Sequence, residues 1–163
     1  PSATDLLRKD HREVEALFKA FKRADSSADK QQLAKKITTA LKIHAQIEEE
    51  IFYPAFIEAT GQKSMHDEAL VEHDSAKKLI AEIEGGAGGD PLFDAKINVL
   101  AEMIKHHVKE EERFGGMFSK TRMARMDLRA LGALLAARKQ ELAQQPAKRV
   151  SRRRAPKQLR GAA

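Results

Sequence analysis

Two stretches of this chain carry the same pairing, and each sets it on the apolar stripe of a segment with helical periodicity. Leu41 to Pro54 reads LKIHAQIEEEIFYP and Ile104 to Phe118 reads IKHHVKEEERFGGMF; in each a histidine is followed four residues later by a glutamate, His44 with Glu48 and His107 with Glu111. On an α-helix that spacing puts both side chains on one face, about 6 Å apart. Leu33, Ile37 and Leu41 lead up to His44, and Phe93, Ile97, Leu100 and Ile104 lead up to His107, all at spacings of three and four. A glutamate directed into a core must be compensated there, because an unpaired buried charge is too costly to keep. Whatever this chain folds into has to bring partners to two such glutamates.

The rest of the sequence supplies them. A first helix is predicted from near Thr4 or Asp5 to Arg23, with Ser2 and Thr4 as competing caps and a stripe of Leu7, His11, Val14, Phe18 and Phe21. A second runs from about Lys30 to Tyr53, where Pro54 kinks or ends it, with a brief continuation before Gly61. Ser64 with Asp67 resembles a capping box and opens a third, Met65 to Glu84, lined by Leu70, His73, Ala76 or Lys77, Ile80 and Ile83. The sequence GGAGGD breaks it, and Asp90 followed by Pro91 starts a fourth that extends to about Arg113, where Gly115 and Gly116 stop or bend the chain. Four amphipathic helices with short connections read as an all-α, up-down-up-down four-helix bundle. A fifth helix is expected over Ser119 to about Gln144, with Met123, Met126, Leu131, Leu134 and Leu135 as its apolar residues. The expected division is a bundle over 1–118, an accessory helix over 119–145 and a basic arm over 146–163.

The second half of the bundle echoes the first. Asp10-His11 corresponds to Glu72-His73 and His44/Glu48 to His107/Glu111, at offsets of 62 and 63 residues. Each helix then contributes one inward histidine, His11, His44, His73 or His107, and two of them add Glu48 and Glu111. Imidazole nitrogen and carboxylate oxygen suit non-haem iron, manganese or zinc, and a carboxylate can bridge two ions. A single histidine on an apolar face is an ordinary core residue; six matched positions point to a metal centre. His66, Lys77, Glu49, Glu112 and Tyr53 are read as outer residues of that centre or as substitute ligands. Glu50 and Glu110 fall on a solvated acidic face, and Phe18, Ile51, Phe52, Phe114 and Phe118 are assigned to the core.

A histidine in the first helix, HxxxE in the second, a histidine in the third and HxxxE in the fourth resemble the hemerythrin-like, HHE cation-binding family over roughly Asp5 to Phe118. The resemblance implies two non-haem iron ions bridged by Glu48 and Glu111 and by an oxo or hydroxo group, binding or reacting with O2, NO or peroxide. It implies His11 and His44 on one side and His73 and His107 on the other. Oxygen-carrying hemerythrins have a further histidine four residues after the one in the third helix, where this chain has Lys77, and an aspartate where it has Glu111. Water, Glu49, Glu112 or a shifted His66 are the substitutes for that missing ligand. The more open ligand set favours sensing, redox or peroxide-directed, catalase-like chemistry over reversible oxygen storage. Ferritin-like diiron proteins show Glu-x-x-His instead, the reverse of the order found here.

Charge divides the chain. Residues 1–118 carry 17 Lys/Arg against 22 Asp/Glu, and residues 119–163 carry 13 against 2, so an acidic body is joined to a segment of net charge +11. Seven basic residues lie within 148–160, a segment without aromatic interleaving; nucleic-acid contact there is the minor alternative, within a rival reading of the chain as a metal- or redox-responsive regulatory or storage module. The apolar residues of the fifth helix suit either a homodimer contact or a lid on the bundle. The sequence has no cysteine, which excludes thiolate ligands and disulfides. With no apolar run of membrane-spanning length and no signal-peptide pattern, a cytoplasmic location away from membranes is expected.

Overall fold

The structure, a computed structural model, describes residues 1–86 and 88–145. Its first helix, α1 (Ala3–Arg23), begins at Ser2, whose hydroxyl accepts from the Asp5 amide, and buries Leu7, His11, Val14, Phe18 and Phe21 as one stripe. The second, α2 (Ser27–Ile47), starts three residues earlier than the periodicity indicates, because Ser26 caps it by accepting from the Asp29 amide. A single π turn over Glu48–Phe52 then leads into α3 (Tyr53–Thr60), which ends at Gly61 with a left-handed φ of 64°. The Tyr53 amide reaches back five residues to the Glu48 carbonyl, so the chain passes Pro54, which has no amide hydrogen to give, without breaking the rod.

The third long helix, α4 (Lys63–Gly86), places Ser64 inside its first turn; Ser64 bonds Glu68 while Lys63 pairs with Asp67, so the expected capping box is not formed. Asp90 and Pro91 form a turn in which the Asp90 side chain accepts from the Leu92 amide, and α5 (Phe93–Glu112) follows. The four long rods form a closed ring, with α1 beside α2 and α5, and α4 beside α2 and α5. This is the up-down-up-down bundle. The expected fifth helix is two: α6 (Met117–Met123) and α7 (Leu128–Gln144), separated where Arg125 takes a φ of 53° and Asp127 caps the new helix through the Ala130 amide.

Helix α7 lies against α1 and α2. Leu131 and Leu135 enter the apolar cluster of Leu6, Leu7 and Ile47, while Met123 and Leu134 face outward. Gly132 makes the close approach: a Cβ there would stand 2.5 Å from the Pro1 carbonyl oxygen. Phe114, assigned to the core by its type, is fully exposed, because α5 has ended and the chain is turning toward Gly115. The basic arm, 146–163, lies outside the described residues. Among the described residues no helix is long and apolar enough to cross a membrane.

The core is in two parts. One cluster, with Leu7, Ile47, Phe52, Tyr53, Phe56 and Phe118, fills the end where α3, α6 and α7 cover the bundle. The other, with Val14, Phe18, Ile37, Leu41, Ile80 and Leu100, fills the opposite end. Each inward histidine falls along its helix between the two clusters, so a polar layer is held between apolar ones.

Candidate metal centre

The layer gathers all six inward residues. His11, His44, Glu48 and Glu111 form one cluster and Glu48, His73 and His107 another, with the candidate ligand atoms of each within 4.8 Å of one another. His11 and His44 approach at 3.2 Å through their Nε2 atoms, and His73 and His107 at 3.1 Å. Glu48 belongs to both clusters: Oε1 lies 3.1 Å from His44 Nε2 and Oε2 lies 3.1 Å from His73 Nε2. Glu111 straddles them too, its Oε1 standing 3.3 Å from His11 Nε2 and 3.2 Å from His107 Nε2.

These separations test the fit of a metal ion. Bonds of about 2.1 Å place adjacent ligand atoms about 3.0–3.4 Å apart around an octahedral or tetrahedral ion, and the distances above fall in that interval. Glu48 Oε1 and Glu111 Oε1 are buried and lack a hydrogen-bond partner among the described residues, although imidazole nitrogens lie close by. Orphaned carboxylate oxygens in a dry core require an explanation. A cation between the converging nitrogen and oxygen atoms provides one, and the residues present fit it.

The outer ring nitrogens are held by a second set of acids. His44 Nδ1 lies 3.1 Å from Asp10 Oδ2, His107 Nδ1 2.9 Å from Glu72 Oε2, and His11 Nδ1 2.6 Å from Glu112 Oε1. His73 Nδ1 stands 3.9 Å from Glu49 and completes no hydrogen bond. An acid on Nδ1 fixes the proton there and turns Nε2 toward the centre. Glu49 and Glu112, considered above as substitute ligands, therefore sit behind histidines. Asp10 and Glu72 were given no role by sequence reasoning, although the repeated acid-histidine dipeptide was visible and signals this arrangement.

Further out, Lys77 pairs with Glu49 at 2.6 Å instead of pointing at the centre, and Arg12 holds Glu112 at the same distance. His66 bonds Asp67 at 3.0 Å and packs edge-on to Tyr53, outside both clusters. Glu50, placed on the solvated face, is bonded by Arg138 of α7.

Tyr53 enters the layer. Its hydroxyl donates to Glu48 Oε2 at 3.0 Å and lies 3.0 Å from His73 Nε2, 3.2 Å from His107 Nε2 and 3.3 Å from Glu111 Oε2. In an uninterrupted α-helix, residues five apart are separated by about 140° around the axis. The π turn removes most of that angle and stacks Tyr53 over Glu48.

The electrostatics follow from burial and proximity. Burial opposes a charged imidazole at His44, yet the Glu48 charge and the Asp10 carboxylate outweigh it and push the pKa up to about 10. His107 is raised well above its ordinary value, burial again being overcome, chiefly by Glu111. His11 and His73 rise more moderately against burial, each with two glutamates beside it. Glu48 is held well below the usual carboxylate range despite burial, by His44 first, and Glu111 is lowered despite burial and Glu48, by His107 and His11. Burial and the Glu111 and Glu48 charges raise Tyr53, keeping its phenol protonated. Metal-free, the layer is a proton-rich ion cluster, and a metal ion has to displace those protons.

Fold and site define a class of protein: a four-helix bundle with two histidine-carboxylate clusters able to coordinate metal ions and a glutamate common to both. Residues 2–117 match the family model described as the hemerythrin HHE cation binding domain, and the chain belongs to that family. A DNA nickase of Nostoc sp. is 29% identical over 108 residues, 66% of this chain and 30% of that protein. An uncharacterized hemerythrin-like protein of Schizosaccharomyces pombe is 24% identical over 112 residues, 68% of this chain and 55% of its own length. The matches thus span only part of either relative. Among solved structures, a hemerythrin HHE cation binding domain-containing protein from Mycobacterium kansasii superposes with a TM-score of 0.74, covering 87% of each chain at 24% identity, and so has the same fold.

Proposed function

We propose that this chain holds two non-haem iron ions, one at each cluster, and binds or reacts with O2, NO or peroxide beside them. In this reading His11 and His44 would hold one ion and His73 and His107 the other, and Glu48 and Glu111 would be shared between them, with an oxo or hydroxo group as the further bridge that the resemblance implies. The observation that carries the reading is Glu48, whose two oxygens face different pairs of histidines at 3.1 Å. Iron would supply electron exchange with oxygen species, which zinc cannot. The chain's own contributions are distinct from that chemistry. Asp10, Glu72 and Glu112 orient imidazoles, the two apolar clusters exclude water, and Tyr53 holds a proton at its hydroxyl within 3.3 Å of both glutamates.

The test is to purify the chain after expression with iron supplied, quantify metal per chain, and record the absorption spectrum before and after peroxide or oxygen. About two irons per chain, as a bridged pair demands, with near-ultraviolet bands that respond to the oxidant, are the expected result. Folded protein that stays metal-free in the presence of added iron would overturn it.

A second reading, a metal-responsive module acting through its C-terminal part, is supported by contacts from α7. Lys139 pairs with Asp10, which lies behind His44, and Arg138 grips Glu50 in the π turn at 2.7 Å. The basic residues of 148–160 and the similarity to a Nostoc DNA nickase point that reading toward nucleic acid. Anisotropy of a labelled DNA duplex, with and without iron, tests it. Salt-sensitive binding that changes with iron supports it, and absence of binding at low salt rejects it.

A further inference from the structure

A cavity of about 250 Å³ opens onto the polar layer from the side of the second apolar cluster, and all four inward histidines line its floor. Its walls are Val14, Leu41, Ala76, Ile80, Ile104 and Val108, one or more from each rod of the bundle. The exposed side chains of Lys42 and Lys77 stand at its edge, so a path leads to it from solvent. The size is informative. A cavity of about 150 Å³ already accommodates benzene, whereas a diatomic molecule or hydrogen peroxide needs only about the 30 Å³ share of a water or somewhat more. A chamber this large and this apolar is poorly suited to retaining water; the four histidines with Asp10 and Glu72 form its polar floor, and Ser75, His106 and the two lysines are its other polar lining.

We propose that this chamber binds the hydrocarbon part of a small amphiphile, a phenyl-sized or short alkyl body carrying one oxygen-bearing end, with that end directed at the histidine layer. Resting on the reactive centre proposed above, this selects organic hydroperoxides among the peroxides such a centre would meet. Burial of the apolar body against Val14, Ile80 and Ile104 supplies the affinity, and the polar layer fixes the orientation. The pattern is that of a specificity pocket: the body is recognised by the chamber, and the chemistry belongs to the centre.

The test uses cumyl alcohol, redox-inert and the size of the expected occupant, titrated calorimetrically into the full chain both iron-loaded and metal-free. Saturable binding at one site in both forms is expected, weakened at least tenfold by Ala76→Phe, which fills the chamber, with iron content per chain unchanged. Ile80→Phe fills the same space from one turn further along α4 and serves if Ala76→Phe does not fold. Absence of saturable binding, or binding that neither substitution weakens, overturns the proposal. Iron content is measured on the same samples, so a chamber that binds cumyl alcohol in a protein that takes up no iron separates failure of the diiron reading from failure of this one.

Discussion

The half of the site built on α1 and α2 and the half built on α4 and α5 begin from the same sequence pattern and end in different surroundings. His11 and His44 have the ring of Phe118 stacked parallel to His11 at 6.0 Å, and Lys139 of α7 bears on Asp10 behind His44. His73 and His107 instead meet the hydroxyl of Tyr53. The 63-residue offset places Gly116 opposite Tyr53 in the echo. There the chain has left α5 and turns so tightly that a Cβ would lie 2.5 Å from the Glu110 carbonyl oxygen. One helix runs on past its glutamate and the other stops, and that single divergence gives one half a phenol and the other an aromatic face. Duplicated ligands therefore do not imply duplicated properties.

Substitutions and pH distinguish the two halves experimentally. The largest effect belongs to the residue the halves share: Glu48→Gln is expected to remove metal from both clusters, leaving well under half the wild-type iron by elemental analysis. Loss of only one ion would mean the halves are independent. Next is pH. In the metal-free protein the raised imidazoles contribute stability that is complete below their ordinary 6.5 and disappears as pH rises, through about 10 for His44. The lowered Glu48 and Glu111 contribute stability present above 4.5 and lost as pH falls. Metal-free protein should be most stable at roughly pH 5–6.5, while metal binding, which needs unprotonated nitrogens, tightens as pH rises. The gap in Tm between loaded and metal-free samples should widen from pH 6 to pH 9 in calorimetric scans; a constant gap would contradict the proton-rich layer.

Smaller effects address one half at a time. Asp10→Asn and Glu72→Gln should each weaken metal affinity about 10–100-fold, measured by competition with a chelator, and comparable losses would show that the outer acids act equivalently. Tyr53→Phe removes a hydroxyl from among four buried partners and should cost about 1–3 kcal/mol of metal-free stability in denaturant titrations. Its effect on metal should fall on the His73/His107 side. Lys139→Ala should give the smallest change, a few-fold loss of affinity confined to the His11/His44 side. An equal effect on both sides would remove α7 from the account of the asymmetry.

The bundle was legible because its helices are amphipathic with a strict period, and the six inward residues because histidine and glutamate stand out on apolar stripes. What escaped the sequence is chiefly what depends on three-dimensional neighbours. Asp10 and Glu72 look like solvated acids until the facing histidine is in place, and Lys139 lies 129 residues from its partner. Helix boundaries moved where a cap decided them, as Ser26 does for α2, and where backbone conformation did, as between α6 and α7. Phe114 misleads because residue type outweighs position in a one-dimensional reading. Tyr53 was recognised as a candidate, but its place over Glu48 depends on a turn that no hydrophobic period announces.

That wide turn works as a vernier. Everything N-terminal to Glu48 is phased to seat His44 against His11, and everything C-terminal to Phe52 is phased to bury Tyr53 and Phe56. The two settings differ by about one residue's rotation, close to 100°. A substitution within Glu48–Phe52 that keeps its length leaves the phase intact, whereas deletion of one residue would return the rod to a uniform α-helix. Tyr53 would then stand four residues from Glu48 and stay on its face, whereas an α-helical conformation at the present length would rotate Tyr53 and the aromatic residues beyond it away by about 100°. The wide conformation of this five-residue segment, which absorbs one extra residue, is thus as much a determinant of the site as the side chains it carries.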